Sequence, residues 1–438
     1  MFQAKKITSK IENITSWNNT YSNKALVYFP KNQRQLRSLI KKITKKKIRY
    51  IVKTGKCSYD SKSINSDEET AVISLKKLRR LISLNKKNKT IKVEAGALIS
   101  DIVKELKDKN YTIYSIPGGE FVSVGGAVSA NVIGKDSSKK IASFGDAVES
   151  IKILTEKGNI KTLKKNSREI KNFIGAFGLS GIMIEIELKV RKIKSKNLIV
   201  HKKFLNSLNE IKKELDKKSD YKYVQIDPFF REKNFAVVFG AYFSNNKNSL
   251  YKNINLKSYF FERFFFKISS FFINKITWKM FYSIFFLFNK NKKKEMDLHN
   301  YHYSSKYKHL IPLTCKNGLV DYEILIKKNF IKKIRKIISL IRKQNLIPIY
   351  IVVKKVFKSK NKFFYSFNDN GYAIAISLDK TKLSDKKADS IKNLLLKEKL
   401  ELNLSKTDEK LIKNKGLKNN LFMSLYKKMI VNNYEISR

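Results

Sequence analysis

The sequence predicts an α+β protein built in two parts, and three observations carry that expectation. Its 438 residues, 42% of them hydrophobic, can build more than one substantial core. From Ala25 to about Val190, short β-branched runs alternate with helical ones. Ten of the sixteen glycines fall between Gly118 and Gly181, and glycine is scarce afterwards, so the composition changes along the chain.

The first part reads in order. "ALVYFP" is a strand, "NQRQLRSLIKKITKKK" a helix, and "IRYIVKTG", "TAVISL" and "TIKVEAGA" are strands. "LISDIVKELKDKN" follows as a helix. "AVESIKILTEKGNIKTL" gives two strands around a Lys-Gly turn, and "GLSGIMIEIELKVRKI" a long alternating strand after a glycine-rich turn.

A second composition begins near Lys196. Ser258 to Asn289, "SYFFERFFFKISSFFINKITWKMFYSIFFLFN", is dense in Phe but broken by Glu262, Arg263, Lys267, Lys275 and Lys279. No apolar run of about 18 residues exists for a membrane span. The segment reads either as interfacial, with aromatics at the headgroup boundary and basic flanks, or as a Phe-rich buried helix. Beyond it, "GLVDYEILI", "LIPIYIVVKKVF" and "NGYAIAISL" are strands, separated by helices at about 330–344 and 385–399. "LELNL" adds a short strand. That order suits an antiparallel sheet with helices on one face.

The formal charge of +56 suits polyanion binding, yet the Lys residues are spread along the chain with abundant Asn and Ile, as base composition alone would impose. Specific nucleic-acid binding is not expected, and a basic nucleic-acid-binding protein without redox activity is the remote alternative. Cys57 and Cys315 lie far apart without CxxC spacing, which fits a reducing compartment. His299, His302 and His309 cluster without companion carboxylates or thiolates, so no metal is expected. The amino terminus shows no apolar signal-peptide core, and a cytoplasmic location is expected.

The glycines form neither a GxGxxG fingerprint in strand-turn-helix context nor a GxxxxGK[ST] phosphate loop. They instead create places where backbone N–H groups lie open to a ligand: "PGG" at 117–119, "VGGAVSANVIGK" at 124–135, "SFGD" at 143–146 and "GAFGLSGI" at 175–182. That is the chemistry of a dinucleotide cofactor lying along loops.

In this order and at these distances, "TGKCSYD", "VEAGALISDIV", "PGGEFVSVGGAVSANVIGKD", "SFGD" and "FGLSGIM" resemble the FAD-binding (PCMH-type) domain of the vanillyl-alcohol-oxidase superfamily, within it the polyprenyl-phosphosugar branch. The resemblance is strong from Ile51 to Val190 and weak elsewhere. It implies a two-subdomain FAD domain over residues 1–195 and a substrate cap over 196–399, with 258–289 facing a membrane. Residues 400–438 would return to the FAD domain.

The cofactor residues it implies begin with the first loop, Thr54, Gly55, Lys56, Cys57, Ser58 and Tyr59. Pro117, Gly118 and Gly119 follow, then Ser123, Gly125, Gly126, Ala127, Ser129, Ala130, Asn131 and Gly134. Ser143, Gly178, Gly181 and Ile182 complete the set. Lys56 and Ile133 stand where tethering histidines of the superfamily stand, so FAD should be bound non-covalently.

The implied reaction is hydride transfer from a carbinol carbon to flavin, which asks the protein for a proton acceptor and for positive charge. Lys406 and Lys355 sit where the resemblance puts active-site lysines. Lys135 is a candidate for a substrate phosphate. Asp321, Tyr322 and Glu323 fall where the family binds sugar with polar amides. The implied function is oxidation of a secondary hydroxyl on a lipid-linked polyprenyl-phosphate sugar, as half of an epimerisation for the cell envelope. A separate NAD(P)H-dependent reductase would complete it, with peripheral contact at the inner face of the cytoplasmic membrane. A soluble aldonolactone or 2-hydroxy-acid oxidoreductase is the rival.

Overall fold

The computed structural model describes residues 7–59, 68–178, 180–231, 235–252, 264, 267–268, 271–272, 274–288, 292–303, 311–361, 363, 367 and 369–403. Three sheets organise them.

In the first sheet, β1 (Thr8–Thr15) pairs antiparallel with β2 (Ser22–Phe29). β3 (Tyr50–Lys53) and β2 both run parallel to β4 (Ala71–Ser74), which lies between them. Helix α1 (Gln33–Lys45) makes the crossover from β2 to β3. Asn32 caps it by accepting from the Gln35 amide, and Leu36, Leu39, Ile40 and Ile43 form its buried stripe at helical spacing.

The second sheet orders β5 (Leu81–Asn85), β6 (Thr90–Glu94), β10 (Ile182–Lys192), β8 (Val148–Leu154) and β9 (Ile160–Lys164). β7 (Tyr111–Ile113) pairs with the end of β10. The hairpin expected at Lys157-Gly158 forms between β8 and β9, with Gly158 at φ 78°. Helix α2 (Ile99–Lys107), against β7, and a six-residue helix α3 (Val124–Ser129), against β10, share one apolar core. The sequence reading placed "VGGAVS" along a loop. It winds into α3 because Ser123 accepts the Gly126 amide as an N-cap.

Beyond Lys192 the chain enters the third sheet, eight antiparallel strands. β11 (Asn197–Leu205) lies between β14 (Lys292–Asp297) and β13 (Ala236–Phe243), followed by β12 (Tyr221–Ile226), β16 (Pro348–Val356), β17 (Gly371–Asp379), β15 (Leu319–Ile326) and β18 (Glu401–Leu402). One face of the sheet packs α4 (Leu208–Asp216), α7 (Phe330–Lys343) and α8 (Asp385–Lys397) around a second core. Helices α5 (Lys275–Phe288) and α6 (Leu298–Tyr303) lie off that face. An antiparallel sheet with helices on one side is what the element order predicts. Of the expected carboxyl-terminal return, the described part up to Asn403 belongs to this third sheet instead, because β18 pairs with β15.

Candidate active site

The free face of the eight-stranded sheet looks across a cavity of about 1370 Å³ at the glycine-rich segments of the first two sheets. That exceeds the usual ligand-pocket range of roughly 300–1,000 Å³.

The first loop leaves β3 at Lys53, and Thr54, Gly55, Cys57, Ser58 and Tyr59 line the cavity. Ser123 donates to Thr54 at 2.6 Å, which clips this loop to the start of α3. A Cβ on Gly55 would meet the Phe121 carbonyl at 2.5 Å, so this glycine serves a close approach of backbone to backbone. Pro117, Gly118, Gly119, Gly125, Gly126, Ser129, Ala130, Gly134, Gly178 and Gly181 also line the cavity. They divide by what a side chain would meet. At Gly134 a Cβ would strike the Ser115 backbone at 2.5 Å, whereas at Gly118 it would meet nothing within 4 Å and enter the open space. At Gly178, with φ 81°, a Cβ would meet only the Ser129 hydroxyl, at 3.9 Å. These glycines keep a wall of bare backbone available to a flat, polar-edged cofactor.

Other expected residues stand behind that wall. Ala127 and Ile182 are core residues. Asn131 accepts from the Gly145 amide at 2.9 Å and holds one loop against another. Ser143 caps the turn whose Asp146 accepts from the Ala142 amide and binds Ser359 and Asn361. Lys56 is exposed. Its charge nonetheless matters: burial, helped by Lys56, brings the Lys53 ammonium down to about 8. Cys57 faces the cavity, and burial pushes its thiol up to about 12, which keeps it protonated and weakly nucleophilic. Among the described residues no histidine lines the cavity.

Across from the glycines, strand alternation decides which polar groups face in. On β15, Asp321 and Glu323 share the cavity side, while Tyr322 belongs to the helix-side core, contrary to its expected place at the substrate. On β16 the lysine expected at the site is Lys355. It turns to the helix side and pairs with Asp216 at 2.7 Å near the surface. Its neighbour Lys354 points inward, buried, with Nζ 3.1 Å from Glu323 Oε1 and 2.8 Å from the Ile133 carbonyl. Asn403 donates to the Glu323 carbonyl at 2.6 Å and to its carboxylate. Lys406 lies outside the described residues.

The sequence reading also missed Tyr350, Lys53 and Lys202, all of which line the cavity. A count by twos would have found Lys354, because Ile351 and Val353 are plainly apolar and Lys355 continues their side. A register shift between Pro348 and Tyr350 sets that alternation and turns Tyr350 inward. Lys135 lines the cavity with its ammonium 4.4 Å from the centre of the Tyr223 ring and 5.2 Å from that of Tyr301.

The far end of the cavity is aromatic. Trp278 and Tyr282 on α5 are buried and donate to the carbonyls of Pro348 and Ile349. On the opposite face of α5 Ile276, Met280 and Ile284 are exposed, as is Phe271 before it. Phe272 and Phe281 belong to both surfaces: they line the cavity and yet are 67% and 50% exposed. The segment therefore has one face buried in the protein and another that is apolar and exposed. Among the described residues no helix is long and apolar enough to cross a membrane.

Residues 24–164 match the family described as FAD binding domain. The chain carries that domain, FAD is its cofactor, and the bare glycine wall fits it. Decaprenylphosphoryl-beta-D-ribose oxidase of Mycolicibacterium smegmatis is 26% identical over 142 residues, 32% of this chain and 31% of that one. D-lactate dehydrogenase of Anaerostipes hadrus is 29% identical over 126 residues, 27% of this chain and 26% of that one. The chain thus spans about a third or less of these relatives' length. In overall shape it is similar to a chitooligosaccharide oxidase, with a TM-score of 0.68 at 12% identity over 98% of this chain and 94% of that one. The fold is that of a PCMH-type FAD-binding domain with an antiparallel cap.

Proposed function

We propose that the protein is an FAD-dependent oxidoreductase that oxidises a secondary hydroxyl of a lipid-linked, polyprenyl-phosphate sugar. The observation that carries this reading is the continuity of one cavity. It runs from the glycine wall, past Lys354, Glu323 and Tyr350, to an aromatic mouth where Phe272 and Phe281 meet solvent. A sugar at the polar middle would leave its lipid at the apolar mouth. A small soluble hydroxy acid would have no use for that mouth.

Bound FAD supplies the hydride acceptor. The chain supplies placement and charge. Glu323 presents a carboxylate oxygen to a substrate hydroxyl, and Lys354 sets a buried cation beside it, where negative charge would grow on the substrate oxygen as its proton leaves. Lys135, clamped by two tyrosine rings, would meet the substrate phosphate. The similarity to decaprenylphosphoryl-beta-D-ribose oxidase supports the substrate class; that to D-lactate dehydrogenase supports the soluble rival. The product carbonyl would pass to a separate NAD(P)H-dependent reductase, and the exposed apolar face would rest on the inner surface of the cytoplasmic membrane. Anaerobic flavin bleaching against polyprenyl-phosphate sugars, aldonolactones and 2-hydroxy acids tests the reading. Rapid bleaching by the first class is expected, and bleaching by the soluble compounds alone overturns it.

A further inference from the structure

We propose that Lys202, Lys292 and Lys294 form a phosphate subsite at the outer end of the cavity, apart from Lys135, for an amphiphilic phosphate ester whose hydrocarbon lies along α5. The inference shares with the reading above only a lipid-borne phosphate.

The strand ladder brings the three lysines together. Lys202 on β11 lies directly opposite Lys292 on β14, and Val200 lies opposite Lys294, so the three side chains share one face of the sheet. That face is the cavity face, because Val200, Lys202 and Met296 line the cavity. Lys293 and Glu295 alternate to the other side, where Glu295 accepts from Asn246 at 3.3 Å. The pleat thus turns a carboxylate away and leaves like charges side by side. Lys202 is half-buried, and burial together with the charges of Lys292 and Lys294 lowers its ammonium from the ordinary lysine value, a cost that a bound anion would remove.

What borders these charges decides which anion fits. The Lys202 ammonium lies 5.5 Å from the centre of the Phe239 ring, Phe239 stacks on Tyr223 at 4.8 Å, and the Lys135 ammonium lies 4.4 Å from the centre of the Tyr223 ring. A stacked ring pair therefore separates the two cationic stations. Phe204, two residues beyond Lys202 on the same face, stacks on Phe286 of α5 at 5.9 Å, and Phe281 and Phe285 of that helix line the same cavity. A phosphate held as a point charge by the lysines would have an aromatic helix beside it, which a hydrocarbon tail can use and a free phosphate cannot. For a lipid-linked sugar with one phosphate the stations act in succession: the outer one at capture, Lys135 once the sugar reaches the flavin.

Calorimetric titration of the FAD-loaded protein with geranyl phosphate and with inorganic phosphate tests the subsite. Lys202→Gln should weaken geranyl phosphate about tenfold or more, as loss of a hydrogen bond to a charged group does, and adding Lys292→Gln and Lys294→Gln should weaken it further. Lys202→Arg should keep most of the affinity and Lys293→Gln all of it, with melting temperatures unchanged. Inorganic phosphate should bind more weakly than geranyl phosphate. Unchanged geranyl phosphate affinity in the triple variant overturns the subsite, and inorganic phosphate binding as tightly as geranyl phosphate overturns its amphiphilic ligand. Sedimentation with phosphatidylglycerol vesicles separates the other source of phosphate. Variants that lose the vesicles but keep geranyl phosphate would assign the lysines to membrane headgroups and overturn the proposal. In flavin reduction by a phosphate-bearing hydroxyl compound, the triple variant should raise KM and keep the saturated rate. A fall in the saturated rate with KM kept overturns the outer placement. If no lipid-linked sugar bleaches the flavin, the reading above fails while the titration still decides this one.

Discussion

Lys354 and Lys355 are neighbours in sequence and face opposite sides of the eight-stranded sheet: one pairs with buried Glu323 at 3.1 Å, the other with Asp216 at the surface. The pleat of β16 therefore separates a lysine of the cavity from a lysine of the helix face. Lys354→Met should slow flavin reduction about 10²-fold or more while FAD stays bound. Lys355→Met removes a surface pair worth about 0–1 kcal/mol and should leave the rate within about twofold. Stopped-flow reduction by the cognate substrate compares them, and equal rates would return both to ordinary solvated charges.

The glycine wall makes a prediction that separates cofactor space from protein packing. Gly118→Val places its branches in open cavity, so the chain should fold with an unchanged melting temperature after flavin removal but retain little FAD. Gly134→Val drives a Cβ into the Ser115 backbone and should impair folding itself. Acid precipitation of the wild type should leave all flavin in the supernatant, because Cys57 is held as a thiol and no described histidine lines the cavity. Yellow pellets would point to a covalent link.

Lys53 should make FAD affinity pH-dependent. In the folded chain its ammonium is lowered from 10.5 to about 8. Since the folded state then holds fewer protons than the unfolded one between about pH 8 and 10.5, this group's contribution to stability rises with pH across that window. An anionic cofactor beside it favours the charged form, so binding above about pH 8 takes up a proton. Affinity should be full below that pH and fall as pH rises, by up to about tenfold per unit for one proton. Titration of the stripped protein with FAD at several pH values checks the slope. Lys53→Met should flatten it.

The bare apolar face of α5 should bind anionic lipid. Phe271, Phe272 and Ile276 would sink into the headgroup boundary, while Lys275 and Lys279 each add roughly 1 kcal/mol near a negative surface. Liposome sedimentation should weaken in high salt without disappearing, and the triple change of these three apolar residues to Ser should abolish it. Sedimentation that ignores the triple change would assign this face elsewhere.

Much of this molecule is legible in the chain itself. The α+β class follows from periodicity, the hairpin at Gly158 from its turn residues, and the stripe of α1 from spacing at three and four. FAD follows from the order of the motifs in which the glycines sit. These are local properties, fixed by backbone sterics and side-chain size within a few residues. Which polar groups meet the cofactor space is different. Lys354, Tyr350, Glu323 and Tyr59 lie up to 295 positions apart in the numbering, and a single register shift on β16 decides which of two adjacent lysines turns inward. Of the 93 basic residues, Lys107, Lys222 and Lys354 are buried among those described, and alternation along β16 separates Lys354 from Lys355 without saying which side is the cavity. Only the sheet, by setting alternation and desolvating one face, makes that choice.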